Sequence, residues 1–121
     1  MVWGGHCEIE KVPFRNVSCS DAAGKETNYG YIMEVIKNST DGRIWDDSSL
    51  TPYFNFQKGN DTYQMRYDDL ISLGLKYNLA LTYQLRGVGM WNADALNYTS
   101  NDPEVIRQTQ QMWQALPEYK K

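Results

Sequence analysis

Residues 62–91 read TYQMRYDDLISLGLKYNLALTYQLRGVGMW, and the change of hydrophobic period along them decides the fold. Thr62 to Tyr67 is β-prone. Asp68 and Asp69 follow where a carboxylate accepts hydrogen bonds from the free amides of a first helical turn, so the pair predicts an N-terminal cap. The helix they open is expected over residues 69–83. Leu70, Leu73, Tyr77 and Leu81 fall along one side of it and Ile71, Leu75 and Leu79 along another, the broad apolar surface of a helix that covers a barrel. Arg86-Gly87 is the expected stop. Gly87-Val88-Gly89-Met90-Trp91 is then a short apolar run with no polar alternation, the pattern of a parallel strand buried on both faces. Strand, helix and strand in this order predict a βαβ unit with a right-handed crossover.

Working outward, a loop over residues 92–101 leads to Asp102-Pro103, a helix start with Asp at the cap and Pro in the first turn. Val105, Thr109, Met112, Trp113 and Leu116 line one face of that final helix. Upstream, Tyr29, Ile32, Met33 and Ile36 keep the i, i+3, i+4, i+7 spacing and predict a helix over residues 26–38. Asp41-Gly42 breaks it. Arg43-Ile44-Trp45 and Tyr53-Phe54-Asn55-Phe56 are β-prone, and Lys58-Gly59-Asn60-Asp61 is a turn signal, so a hairpin is expected from about Pro52 to Tyr67. Residues 1–25 show no period and read as an irregular loop holding Cys7 and Cys19. The fold class is therefore α/β: a Cys loop over residues 1–25, a helix and hairpin segment over residues 26–61, and two β/α units of a (β/α)8 TIM barrel over residues 62–121. A complete barrel needs roughly 250 residues. The 121 residues predict a piece of one.

Composition narrows the function. Hydrophobic residues are 41% and aromatics 13%, ample for a core, and the formal charge of -3 offers no basic patch to neutralise a nucleic-acid backbone. No apolar run reaches the 18 or so residues needed to span a bilayer, and Met1 to Gly5 lacks the charge and apolar stretch of a signal peptide. N-glycosylation sequons occur at Asn16, Asn38, Asn60 and Asn97, each with Ser or Thr two residues on and no intervening Pro. Sequons without a leader again predict part of a longer, extracytoplasmic protein. In an oxidising compartment Cys7 and Cys19 are expected to pair; the other readings are free buried thiols or a metal site, for which His6 alone supplies a further soft ligand.

In barrel enzymes the active site lies at the C-terminal strand ends. Here those ends are Tyr67-Asp68 and Trp91-Asn92. An indole at a strand end either fills the top of the barrel core or forms the floor of a sugar subsite, where the C–H face of a pyranose meets the negative face of the ring. Gly87 and Gly89 lean toward the second reading, since glycine relieves crowding where backbone passes close to other groups. Asp68 and Asp94 are the acids near the strand ends; helix capping accounts for the first and loop ordering in solvent for the second. Tyr67 either packs or aims its hydroxyl at the site. No G-x-S-x-G elbow, phosphate loop or base-assisted cysteine is present, so no complete catalytic constellation is read in the chain.

Two stretches carry a resemblance: YDDLISLGLKYNLALTYQLRGVGMWNADALNY, Tyr67 to Tyr98, and CEIEKVPFRNVSCSDAAG, Cys7 to Gly24. They closely resemble the glycoside hydrolases of family 18, and within them the chitobiase branch. The first is similar to the seventh strand, seventh helix and eighth strand of that barrel, the second to a segment after the sixth strand. The resemblance implies hydrolysis of N-acetylglucosamine β-1,4 linkages in chitin oligosaccharides or N-glycan cores, with retention and with the substrate's acetamido group as nucleophile. It implies no cofactor and a lysosomal or secreted location. The family's acid ends a D-x-x-D-x-D-x-E motif that is missing here, so no catalytic residue is expected in this chain and the preceding strands would complete the site. Trp91 matches the family tryptophan beneath the sugar, with Met90 and Tyr67 as further candidates for lining the pocket. The alternative expectation is a non-catalytic N-acetylglucosamine-binding module or a truncated product.

Overall fold

Alternation with period two builds the sheet. In β3 (Thr51–Lys58) Pro52, Phe54 and Phe56 are buried and the residues between them are not. The computed structural model describes the backbone of residues 5–8 and residues 25–116 in full. β3 pairs antiparallel with β4 (Asp61–Arg66) from Lys58↔Asp61 to Tyr53↔Arg66, closed by a two-residue loop in which Gly59 takes φ +66. That left-handed position is what a tight hairpin loop requires and what glycine supplies without a Cβ penalty. β2 (Ile44–Asp46) lies on the other side of β3, and β1 (Gly5–Glu8) lies along the far side of β4. The order is β1-β4-β3-β2, antiparallel throughout.

Three helices close one core with this sheet: α1 (Tyr29–Val35, extended by a 3-10 turn over Ile36–Asn38), α2 (Leu70–Thr82) and α3 (Pro103–Gln114). Ile32, Phe54, Met65 and Met112 are its most deeply buried apolar side chains, with Leu73 and Tyr77 from α2 beside them. The Phe54 ring meets Tyr67 edge-on at 5.8 Å and Phe56 at 6.0 Å. Each helix begins as its sequence dictates. Asp69 accepts from the amides of Ile71 and Ser72 while the Asp69 amide donates to Ser72 Oγ, a reciprocal capping box. Asp102 accepts from the Glu104 amide, with Pro103 as the first helical residue.

The expected hairpin and the three helices form, but the βαβ unit does not. β4 is an antiparallel hairpin arm, and both its edges are taken, one by β1 and one by β3. A parallel neighbour therefore has no edge of β4 to join, and Gly87–Trp91 runs as irregular chain. Gly87 and Gly89 stand in open space, so crowding does not explain them. α2 also stops before Arg86-Gly87. Gln84 adopts φ +51, its amide donates to Leu81 O and the Leu85 amide donates to Ala80 O, the paired bonds of a Schellman ending with Gln where Gly is usual. Only one side of α2 is covered: Leu73, Tyr77 and Ala80 are buried, whereas Ile71, Leu75, Leu79 and Leu81 face solvent. Cys19 and the Asn16 sequon lie outside the described residues, and only the backbone of Cys7 is described, in β1, so the expected Cys7–Cys19 bridge falls outside what the structure describes. Among the described residues no helix is long and apolar enough to cross a membrane.

Candidate functional site

The segment between α2 and α3 is irregular in course but firmly tied. Ala95 and Leu96, at the end of a single 3-10 turn over Ala93–Ala95, are buried and anchor it to the core. Tyr98 Oη donates to Ala93 O at 2.8 Å and accepts from Trp113 Nε1 at 3.2 Å, and Thr109 Oγ1 donates to Asn97 O. Two bonds thus fasten the segment to α3. Asn97 Oδ1 accepts from the amide and hydroxyl of Thr99, which fixes the turn that follows. Ahead of this anchored stretch stands Trp91, 77% exposed, with Met90 half-buried before it and a cis peptide joining it to Asn92. The indole is no core plug.

Beside that stretch an open depression of about 720 Å³ is lined by Asn28, Tyr31, Glu34, Asp94, Asn97 and Tyr98, among others. Asp94 is exposed on its wall. Tyr67 is elsewhere. It is 4% exposed and packed on Phe54, and burial first, then the Asp69 carboxylate, drives its phenol well above the usual range, with Arg43 opposing. Tyr67 does not line the depression beside the Ala93–Thr99 stretch.

The two expected capping acids divide the work. Asp69 caps α2 and also accepts from Arg43, whose guanidinium lies 5.1 Å over the Trp45 ring. Asp68 is 2% exposed and accepts from Lys76 Nζ at 2.6 and 2.8 Å and from Ser72 Oγ at 2.9 Å. A carboxylate engaged in this way is a strut between hairpin and helix, not a free acid. Ser72 and Lys76 stand at i and i+4 on one face of α2, with Asp68 four residues earlier just ahead of the cap, a spacing available in the sequence as a signal. Among the described residues no group of three acidic, His or Cys side chains is placed to hold a metal ion.

No protein-family model matches the chain. Di-N-acetylchitobiase from Homo sapiens is 43% identical over 111 residues, covering 91% of this chain and 29% of the enzyme. The Mus musculus enzyme is also 43% identical over 111 residues, with 30% of its length covered. Probable di-N-acetylchitobiase 2 from Dictyostelium discoideum is 36% identical over 119 residues, 93% of this chain and 29% of that one. Among solved structures, the spore cortex-lytic enzyme SleL of Bacillus megaterium QM B1551 superposes with a TM-score of 0.57 at 18% identity, over 74% of this chain and 20% of SleL, which shows a shared fold. The chain spans just under a third of the length of the curated relatives it matches. On these identities the chain is related, over just under a third of their length, to the di-N-acetylchitobiases, which are enzymes of glycoside hydrolase family 18.

Proposed function

We propose that this chain is the C-terminal portion of a chitobiase-like glycosidase, in which Trp91 forms the floor beneath an N-acetylglucosamine unit while the general acid comes from outside the chain. The observation that carries the reading is the exposure of Trp91, 77%, on a segment anchored at Leu96 and tied to α3. A bare indole on a fixed support loses little conformational freedom when a sugar C–H face settles on it. The reaction is hydrolysis of a β-1,4 linkage in a chitin oligosaccharide or N-glycan core. The substrate's own acetamido group acts as nucleophile, with retention, so no second carboxylate is called for. Met90 and Tyr67 are the further lining candidates, Met90 by adjacency and Tyr67 only through its hydroxyl.

The barrel reading draws support from α2. Its Ile71, Leu75 and Leu79 form a solvent-facing apolar row at four-residue spacing, as on a helix whose second side is covered by strands the chain does not contain. In the longer protein, Gly87–Trp91 would then pair with such strands. Asn38 and Asn60 are exposed, which suits glycans in a lysosomal or secreted setting, and Cys7 and Cys19 are the proposed disulfide. The test is hydrolysis. The purified 121-residue chain is expected to release no N-acetylglucosamine from chitobiose or chitotriose, and release by that chain would overturn the division of the site.

A further inference from the structure

A second cleft, which Trp91 does not line and which shares only Tyr31 with the depression above, lies between residues 25–31 and the outer half of the β3–β4 hairpin. Its volume is about 360 Å³, within the range of small-ligand pockets. The Phe56 ring, stacked on Tyr63 at 5.4 Å and 22° between planes, and the half-exposed Tyr31 give it aromatic surface, and Thr27 adds a hydroxyl. Its charged lining is of one sign. Lys25 and Lys58 both line it, neither is in an ion pair among the described residues, and no carboxylate lines it there. In a chain of net charge -3, two ammonium groups over an aromatic floor make the wall of the cleft positive and attract anions, the nearby acids, Glu26 next to Lys25 and Asp61 across the hairpin from Lys58, standing outside the lining.

We infer that this cleft binds an anionic saccharide, with the aromatic surface under the sugar ring and Lys25 and Lys58 on its sulfate or carboxylate. The anion half of the inference rests on the cleft itself, and the sugar half rests on the glycosidase reading above. Titrating the 121-residue chain by calorimetry with N-acetylglucosamine 6-sulfate, N-acetylglucosamine and benzenesulfonate separates the parts. The sulfated sugar should bind about fivefold or more tighter than the neutral sugar, and Lys25→Met and Lys58→Met should each weaken it about threefold, the scale of an exposed charge pair. High salt should shrink that advantage, and the lysine-dependent binding of the sulfated sugar should persist in Trp91→Ala. Equal binding of the neutral and sulfated sugars, or undiminished binding by the double lysine variant, overturns the inference. Benzenesulfonate binding as well as the sulfated sugar overturns the saccharide assignment, and loss in Trp91→Ala overturns a separate site. A chitobiose response at Trp91 is read independently, so failure here and failure of the proposed function are distinguishable.

Discussion

Replacing Asp69 separates two jobs that one carboxylate performs. It accepts from the Ile71 and Ser72 amides at 3.0 Å each, and it pairs with Arg43 at 2.8 Å, the two side chains being 16% and 36% exposed. Loss of an N-cap acceptor costs about 1 kcal/mol. A pair this close to solvent adds only about 0.5 kcal/mol. Asp69→Ala should therefore lower unfolding free energy by about 1.5 kcal/mol, or about 6 °C in melting temperature for a chain of this size. Asp69→Asn keeps an acceptor oxygen and should cost only about 0.5 kcal/mol, matching Arg43→Met. Urea unfolding followed by far-UV circular dichroism measures all three. Equal losses for Ala and Asn would refute the view that capping is the larger contribution, as would an Ala variant as stable as the parent.

Three further outcomes follow from the same packing. Phe54 is fully buried between Phe56 and Tyr67, so Phe54→Ala should cost about 3–5 kcal/mol in the same urea assay, and a loss under about 1 kcal/mol would contradict its central place. Burial first, then the Asp69 charge, pushes the Tyr29 phenol from 10.0 up to about 12, so the folded state holds a proton that the unfolded state releases. That contribution is whole below pH 10.0 and is lost as pH rises through about 12; the urea midpoint should fall over this window, less steeply in Tyr29→Phe, and an unchanged slope in the variant would count against it. Trp91→Ala should leave stability within about 0.5 kcal/mol, because the indole is 77% exposed, and a larger loss would mean that it packs.

Local patterns were legible where local forces decide. The hairpin follows from alternation in Thr51–Lys58 and from Gly59, and the starts of α2 and α3 follow from Asp69 and from Asp102-Pro103, because turns and caps are satisfied within a few residues. Gly87–Trp91 shows the opposite case. Its apolar run reads as a strand pairing with the hairpin arm before it, yet β4 has both edges occupied and the segment does not join the outer edge of β1 or β2. The same limit explains α2, whose sequence is apolar on two sides but whose neighbours cover one. At the site, period alone left Trp91 open between plug and platform, and its exposure follows from that unpaired segment. Tyr67 went into the core because β4 turns it onto Phe54. The pair of buried Asp68 with half-exposed Lys76 was not legible because two adjacent acids before a helix both fit a capping role.

The most direct test of Trp91 as a sugar platform is nuclear magnetic resonance of the indole N–H signals during titration of the chain with chitobiose. The Trp91 signal, assigned by its loss in Trp91→Ala, should shift saturably while that of Trp113, held by Tyr98, stays in place. A titration that leaves the Trp91 signal unmoved, or that shifts the other indoles equally in Trp91→Ala, would contradict the account.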